Sequence, residues 1–212
     1  LVGATREPER VALIVRQPRG FEEVSYGQLR EMANRLANVL TAHGVQRGDR
    51  VAIILPQSLE TAASHLAIYK CAAVALPLAS LFCIDALAYR LENSGARVVI
   101  TNKAGLAKLS EIRGQLPALE LVLSIDGADK DVLDFHTELA RASSNFVTVA
   151  TSTDDPAMMI YTSGTTGQPK GALHAHRVLL GHLPGIEMAQ EFMPQPGDRY
   201  WTPADWAWAG GL

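Results

Sequence analysis

The stretch "AMMIYTSGTTGQPKG", Ala157–Gly171, passes from a short apolar run straight into hydroxyls and glycines and closes on a lysine. The apolar part predicts a strand through Met158–Tyr161 that runs into a loop. A simple turn needs one or two special residues, whereas this loop concentrates three kinds. Gly164, Gly167 and Gly171 open backbone angles closed to other residues, so that consecutive N–H groups can converge on one anion. Thr162, Ser163, Thr165 and Thr166 add hydroxyl donors, and Lys170 adds a full positive charge. Pro169 stiffens the chain beside the lysine and limits the entropy lost on closing around a ligand. With no large apolar side chain inside it, the loop is expected to be poorly ordered until phosphate contacts hold it. A glycine-rich surface loop is the plainer alternative. The loop is not a standard P-loop: Pro169 stands where G-x-x-x-x-G-K-[ST] requires glycine, and Gly171 follows the lysine in place of a magnesium-binding hydroxyl.

Working outward, helices and apolar strands alternate. "SYGQLREMANRLANVLTAH", Ser25–His43, repeats apolar residues at helical steps, with Ser25 and Gln28 at capping-box spacing and Gly44 as the stop. "VAIILP" follows as an uninterrupted apolar strand. Ser58 then caps a second helix with Glu60 in its first turn. Next come a helix over Ile84–Asn93, a strand in "ARVVIT", a helix in "KAGLAKLSEIRGQL" and a strand in "LELVLSI". Uniformly apolar strands alternating with helices predict an α/β fold with parallel sheets flanked by helices. The stretch from Asp126 to Asp154 is weaker, with a short helix near "DVLDFHTELAR" and a Ser/Thr-rich connection. It divides the chain into a first α/β unit, 1–150, and the start of a second, 151–212, which carries the loop.

Composition narrows the function classes. The 212 residues carry 19 basic and 22 acidic side chains, a net charge of −3, which gives no footprint for nucleic acid or an anionic membrane. The longest apolar stretch, Cys71–Ile84, is interrupted by Pro77 and is too short to be a transmembrane segment. Cys71 and Cys83 both fall in it without metal-ligand spacing and are expected to be reduced core residues, as suits a cytoplasmic protein. The chain begins without methionine and ends in "WAWAGGL", which reads as part of a longer polypeptide.

The string Tyr161–Gly171 resembles the phosphate-binding signature of the adenylate-forming enzymes, which include acyl-CoA synthetases, firefly-type luciferases and nonribosomal-peptide adenylation domains. All ten specified positions of Tyr-Thr-Ser-Gly-Thr-Thr-Gly-x-Pro-Lys-Gly match. "SYGQLREMANRLANVLTAHGVQRGDRVAIILPQS" and "AIYKCAAVALPLASLF" are similar to upstream segments of that family in the same order. Two departures are visible: Ser25 stands where threonine is more usual, and Cys71 and Ala72 stand where the family commonly has alanine and glycine.

The resemblance implies the N-terminal part of an AMP-forming acyl-CoA synthetase of the luciferase-like fold, acting on a short- to medium-chain or related carboxylic acid. ATP and coenzyme A would be its co-substrates and Mg2+ its metal. Thr162, Ser163, Gly164, Thr165, Thr166, Gly167 and Lys170 would hold the ATP phosphates. "WTPADWAWAGGL" resembles the segment that lines the acyl approach, which nominates Asp205, Trp208 and Gly211, with His176 placed on the acyl side as a packing or polar contact. On a strand Trp206 and Trp208 would share a face; on a turn they need not, and core packing is an alternative for all three tryptophans. His174 and His176 have H-x-H spacing but no third ligand nearby, so no metal site is assigned. The family's adenine motifs, its magnesium-binding glutamate and its essential C-terminal lysine have no match in this chain, so no catalytic residue is assigned, and Lys170 is not that lysine. The chain alone is expected not to turn over. An adenylation domain that loads an amino or aryl acid onto a carrier protein, and a non-catalytic nucleotide-binding module, are the alternatives. Oligomeric state is left open.

Overall fold

Strands that are apolar at every position need cover on both faces, and the helices between them supply it. The computed structural model describes residues 5–162, 167–193 and 195–208. The chain opens with an antiparallel hairpin, β1 (Val11–Gln17) and β2 (Gly20–Ser25). Helix α1 (Tyr26–Ala42) follows, then β3 (Arg50–Ile54), α2 (Leu59–Lys70), β4 (Val74–Pro77), α3 (Ile84–Ser94), β5 (Val98–Thr101) and α4 (Lys103–Ile112). After a 3-10 turn come β6 (Leu121–Ser124), β7 (Leu133–Asp134), α5 (Phe135–Arg141), β8 (Pro156–Thr162), β9 (Lys170–Ala175) and α6 (Arg177–Ala189). Seven strands form one sheet in the order β7-β6-β5-β3-β4-β8-β9, with every pair parallel except β8 and β9.

Alternation along the strands sorts the core into two layers. Val51, Ile53, Val98, Ile100, Leu121 and Leu123 pack with residues of α1, α2 and α5 on one face. Ala52, Ile54, Val99 and Val122 pack with residues of α3 and α4 on the other, and Tyr161 of β8 joins this second layer. Capping follows the sequence. Ser25 accepts from the Gln28 N–H, and the Gln28 side chain accepts from the Ser25 N–H, the complete capping box. The Ser58 side chain accepts from the Thr61 N–H at the start of α2.

Three features depart from the sequence reading. The hairpin β1–β2 was not expected: β1 carries an apolar run, Val11–Val15, but β2 is mostly polar and exposed. Strand β9 is antiparallel at the sheet edge, so the sheet is not wholly parallel. Cys83 is exposed while Cys71 is buried, because Cys83 sits at the N-cap of α3, outside the layer that covers Cys71. Burial pushes the Cys71 thiol up to about 12. No helix among the described residues is long and apolar enough to cross a membrane.

Candidate functional site

Parallel strands all deliver their following loops to one edge of a sheet, where open α/β proteins bind ligands. Here that edge carries the connections after β3 and β4 and the loop after β8, since β8 runs parallel to β4. The glycine-rich loop is a hairpin connection: Thr162 pairs with Lys170, and Tyr161 with Gly171, across the antiparallel β8–β9 ladder. Unlike a P-loop, it does not open a helix. The N-terminus of α6 lies at the far end of β9, so any charge of the helix end is remote from the loop.

The limbs of the loop explain several of its residues. A Cβ on Gly171 would come 2.8 Å from the Met159 Sδ and 3.2 Å from the Tyr161 Cζ, so glycine there makes room for the tyrosine ring of the opposite strand. Gly167 has φ +88, in the left-handed region that favours glycine. Lys170 is exposed and makes no ion pair with another described residue. Tyr161 is buried, and burial, reinforced by neighbouring Tyr89, raises its pKa, so it stays a neutral donor. Its hydroxyl donates to the Asn93 Oδ1 at 2.6 Å. The Tyr89 hydroxyl donates to the Pro169 carbonyl at 3.0 Å, and the Tyr89 and Tyr161 rings meet edge to face. Buried Arg90 lies 4.3 Å above the Phe82 ring and 5.6 Å from that of Tyr161, and its Nε has no partner among the described residues. Lys108 of α4 donates to the Ser80 and Phe82 carbonyls, both at 2.8 Å, and so fixes the β4–α3 connection beneath.

The segment 201–208 comes to the same edge. Gln57, just after β3, donates its side-chain amide to the Ala204 carbonyl and more weakly to that of Thr202, at 3.4 Å. Trp208 stands edge to face against Phe82, with ring centroids 6.5 Å apart. Asp205 caps its own turn, its Oδ1 accepting from the Ala207 N–H at 2.9 Å. Because the segment turns here, Trp206 and Trp208 do not share a strand face.

The structure thus brings Thr162, Gly167, Lys170, Asp205 and Trp208 to one edge. Ser163, Gly164, Thr165, Thr166 and Gly211 lie outside the described residues, as does most of the loop whose ordering the sequence addresses. His176 is not brought there. It sits at the opposite end of β9, where its N–H donates to the Asp155 carbonyl at 3.1 Å and its ring meets Tyr69 edge to face. Its Nε2 is buried without a partner among the described residues. Among the described residues no three of His, Cys, Asp and Glu gather into a metal site. Sequence reasoning missed Gln57, Phe82, Tyr89, Arg90 and Asn93. The available signal was the spacing of Tyr89 and Asn93, one helical turn apart on one face of α3.

Several known proteins are similar to this chain over most of its length. An acetyl-coenzyme A synthetase of Novosphingobium aromaticivorans is 34% identical over 207 residues, covering 89% of this chain and 31% of that protein. The long-chain-fatty-acid–CoA ligase FadD13 of Mycobacterium tuberculosis is 34% identical over 173 residues, covering 82% of this chain and 33% of that protein. The chain therefore spans about a third of the length of the curated relatives it matches. Among solved structures, an acyl-CoA synthetase of Brucella canis superposes with a TM-score of 0.85 at 30% identity, covering 96% of this chain and 37% of that one. Acetoacetyl-CoA synthetase from Streptomyces lividans superposes with a TM-score of 0.88 at 27% identity, covering 97% of this chain and 34% of that one. The model of the AMP-binding enzymes matches residues 2–212, and the chain belongs to that family.

Proposed function

We propose that this chain supplies the phosphate-binding part of an AMP-forming acyl-CoA synthetase. The observation that carries the reading is the placement of a hairpin loop, with Thr162 and Lys170 at its base, on the sheet edge it shares with Asp205 and Trp208. The reaction has two steps. A carboxylate oxygen attacks the α-phosphorus of ATP, the bond to the β-phosphate bridge breaks, and pyrophosphate leaves with the electron pair. The thiol of coenzyme A then attacks the acyl carbon of the acyl-adenylate, gives up its proton, and expels AMP. Neither step calls for a protein nucleophile. The work is to position the reactants and to offset charge on the departing phosphates.

In this reading Thr162, Ser163, Gly164, Thr165, Thr166, Gly167 and Lys170 hold the phosphates that leave as pyrophosphate. Asp205, Trp208 and Gly211 contribute to the wall on the acyl side. His176, at the opposite sheet edge, has no direct part in it. Mg2+ bound with ATP would offset phosphate charge, and no step is assigned to it. Residues 1–150 serve as the first unit and 151–212 as the start of a second, with β8 and β9 laid on the first unit's sheet edge. The substrate is a short- to medium-chain or related carboxylic acid; the acetyl-coenzyme A synthetase relative supports the short end of that range.

The test is carboxylate-dependent exchange of labelled pyrophosphate into ATP by the polypeptide its gene encodes, across acetate, butyrate, octanoate and benzoate. Exchange that depends on the acid, followed by acyl-CoA formation when coenzyme A is added, is the expected result. ATP binding without exchange for any acid would identify a nucleotide-binding module instead.

A further inference from the structure

The ladder that joins the hairpin to the rest of the sheet is registered at Met158 opposite Ala75, well short of the loop. Beyond that point the described residues of β8 pair only with β9, so apart from the burial of Ile160 and Tyr161 the end of the hairpin depends on side-chain attachments for a fixed position. The helix on that face supplies two. Asn93 accepts the Tyr161 hydroxyl at 2.6 Å on the entering limb. Tyr89 donates to the Pro169 carbonyl at 3.0 Å on the returning limb, next to Lys170. One attachment would leave the hairpin end free to pivot, whereas attachments on both limbs fix its tilt as well as its distance. The helix that carries them is itself well founded: Leu87 and Leu91 are buried in the core layer, and Gly95 closes it in the left-handed conformation.

We propose that Tyr89 and Asn93 are positioning residues that clamp both limbs of the hairpin and so set where Thr162 and Lys170 meet a polyphosphate. The inference rests on the phosphate-binding reading given above. Both groups lie outside the loop motif, and both act through backbone or side-chain atoms of the limbs. Asn93 is exposed and Tyr89 half-buried, so each hydroxyl or amide can be removed without opening a core cavity.

The test is calorimetric titration of inorganic pyrophosphate into the 212-residue chain and into Tyr89→Phe, Asn93→Leu, Tyr161→Phe and the double variant Tyr161→Phe/Asn93→Leu. Thermal midpoints are measured alongside to show that each is folded at the titration temperature. Each single variant is expected to bind pyrophosphate about 3- to 10-fold more weakly, the range of one neutral hydrogen bond. The double variant should be no weaker than Asn93→Leu alone, because both substitutions remove the same bond. A lowered midpoint with unchanged affinity would mark a merely structural role and overturn the clamp while leaving the phosphate reading intact. Additive losses in the double variant would equally overturn it. Absence of binding by the unsubstituted chain would overturn the phosphate reading and the clamp together.

Discussion

Helix α3 and helix α6 both adjoin the β8–β9 hairpin, and they bury their residues in opposite ways. Helix α3 buries Leu87, Ala88, Arg90, Leu91 and Ser94 and ties both limbs of the hairpin. Helix α6, which follows β9, buries none of its residues. Leu179, Leu180 and Met188 are more than half exposed. The position of the loop is therefore set from upstream, by a helix built into the double-layered core. In a P-loop protein the helix after the loop both anchors it and faces the anion. Here a whole strand separates the loop from the next helix, and the anchoring passes to the preceding one.

The largest effect should come from the densest part of the core. A Cβ at Gly105 would lie 1.9 Å from the Thr101 Oγ1, and Thr101 is fully buried, donating to the Ile54 carbonyl at 3.1 Å. Gly105→Ala should cost about 3 kcal/mol, measured by urea unfolding. A loss below about 0.5 kcal/mol would mean that α4 can move away from the sheet freely.

Acid should act on the opposite face of the sheet. His65 of α2 is buried, and burial lowers its pKa from 6.5 to about 4. Between those values the unfolded chain binds the proton and the folded chain does not, so stability falls as pH drops from about 6.5 to about 4. The loss from this group is on the order of 3 kcal/mol and levels off below its folded pKa. Urea midpoints at pH 7 and pH 4.5 for the chain and for His65→Gln check this, and an equal slope in both would remove His65 as the cause.

Smaller effects separate strain from exposure. Ala72 sits at φ 54, in the left-handed region, where the family commonly has glycine. Ala72→Gly should raise stability by about 0.5–1 kcal/mol, since relief of strain exceeds the added chain entropy. Leu180→Gln on α6, by contrast, should change unfolding free energy by less than about 0.5 kcal/mol. If Leu180→Gln costs as much as a core substitution, the contrast between α3 and α6 fails.

Much of this was legible in the sequence, for identifiable reasons. The capping box at Ser25 and Gln28, the apolar runs of β3, β5 and β6, and the strand that opens the loop carry local signals whose periodicity tertiary packing then respects. What was not legible depends on partners far apart in the chain. Nothing local says that Gln57 will hold Ala204, that Asn93 will meet Tyr161, or that His176 will end at the sheet edge opposite the loop. That last point follows from β9 running antiparallel, which no residue pattern in "KGALHA" announces. The hairpin β1–β2 was missed because β2, GFEEVS, is mostly polar and exposed, although β1 carries the apolar run Val11–Val15, and Cys83 was misplaced because an apolar stretch was read as uniformly buried.

The phosphate-binding reading stands most directly on Lys170, the one full positive charge at the base of the loop. Titration of ATP into the 212-residue chain and into Lys170→Ala, at fixed ionic strength, isolates it. Loss of one charge-assisted contact is worth roughly 1.5–3 kcal/mol, so the variant should bind about 10- to 150-fold more weakly. Equal affinity of the two proteins for ATP would place the nucleotide elsewhere and contradict the assignment of the loop.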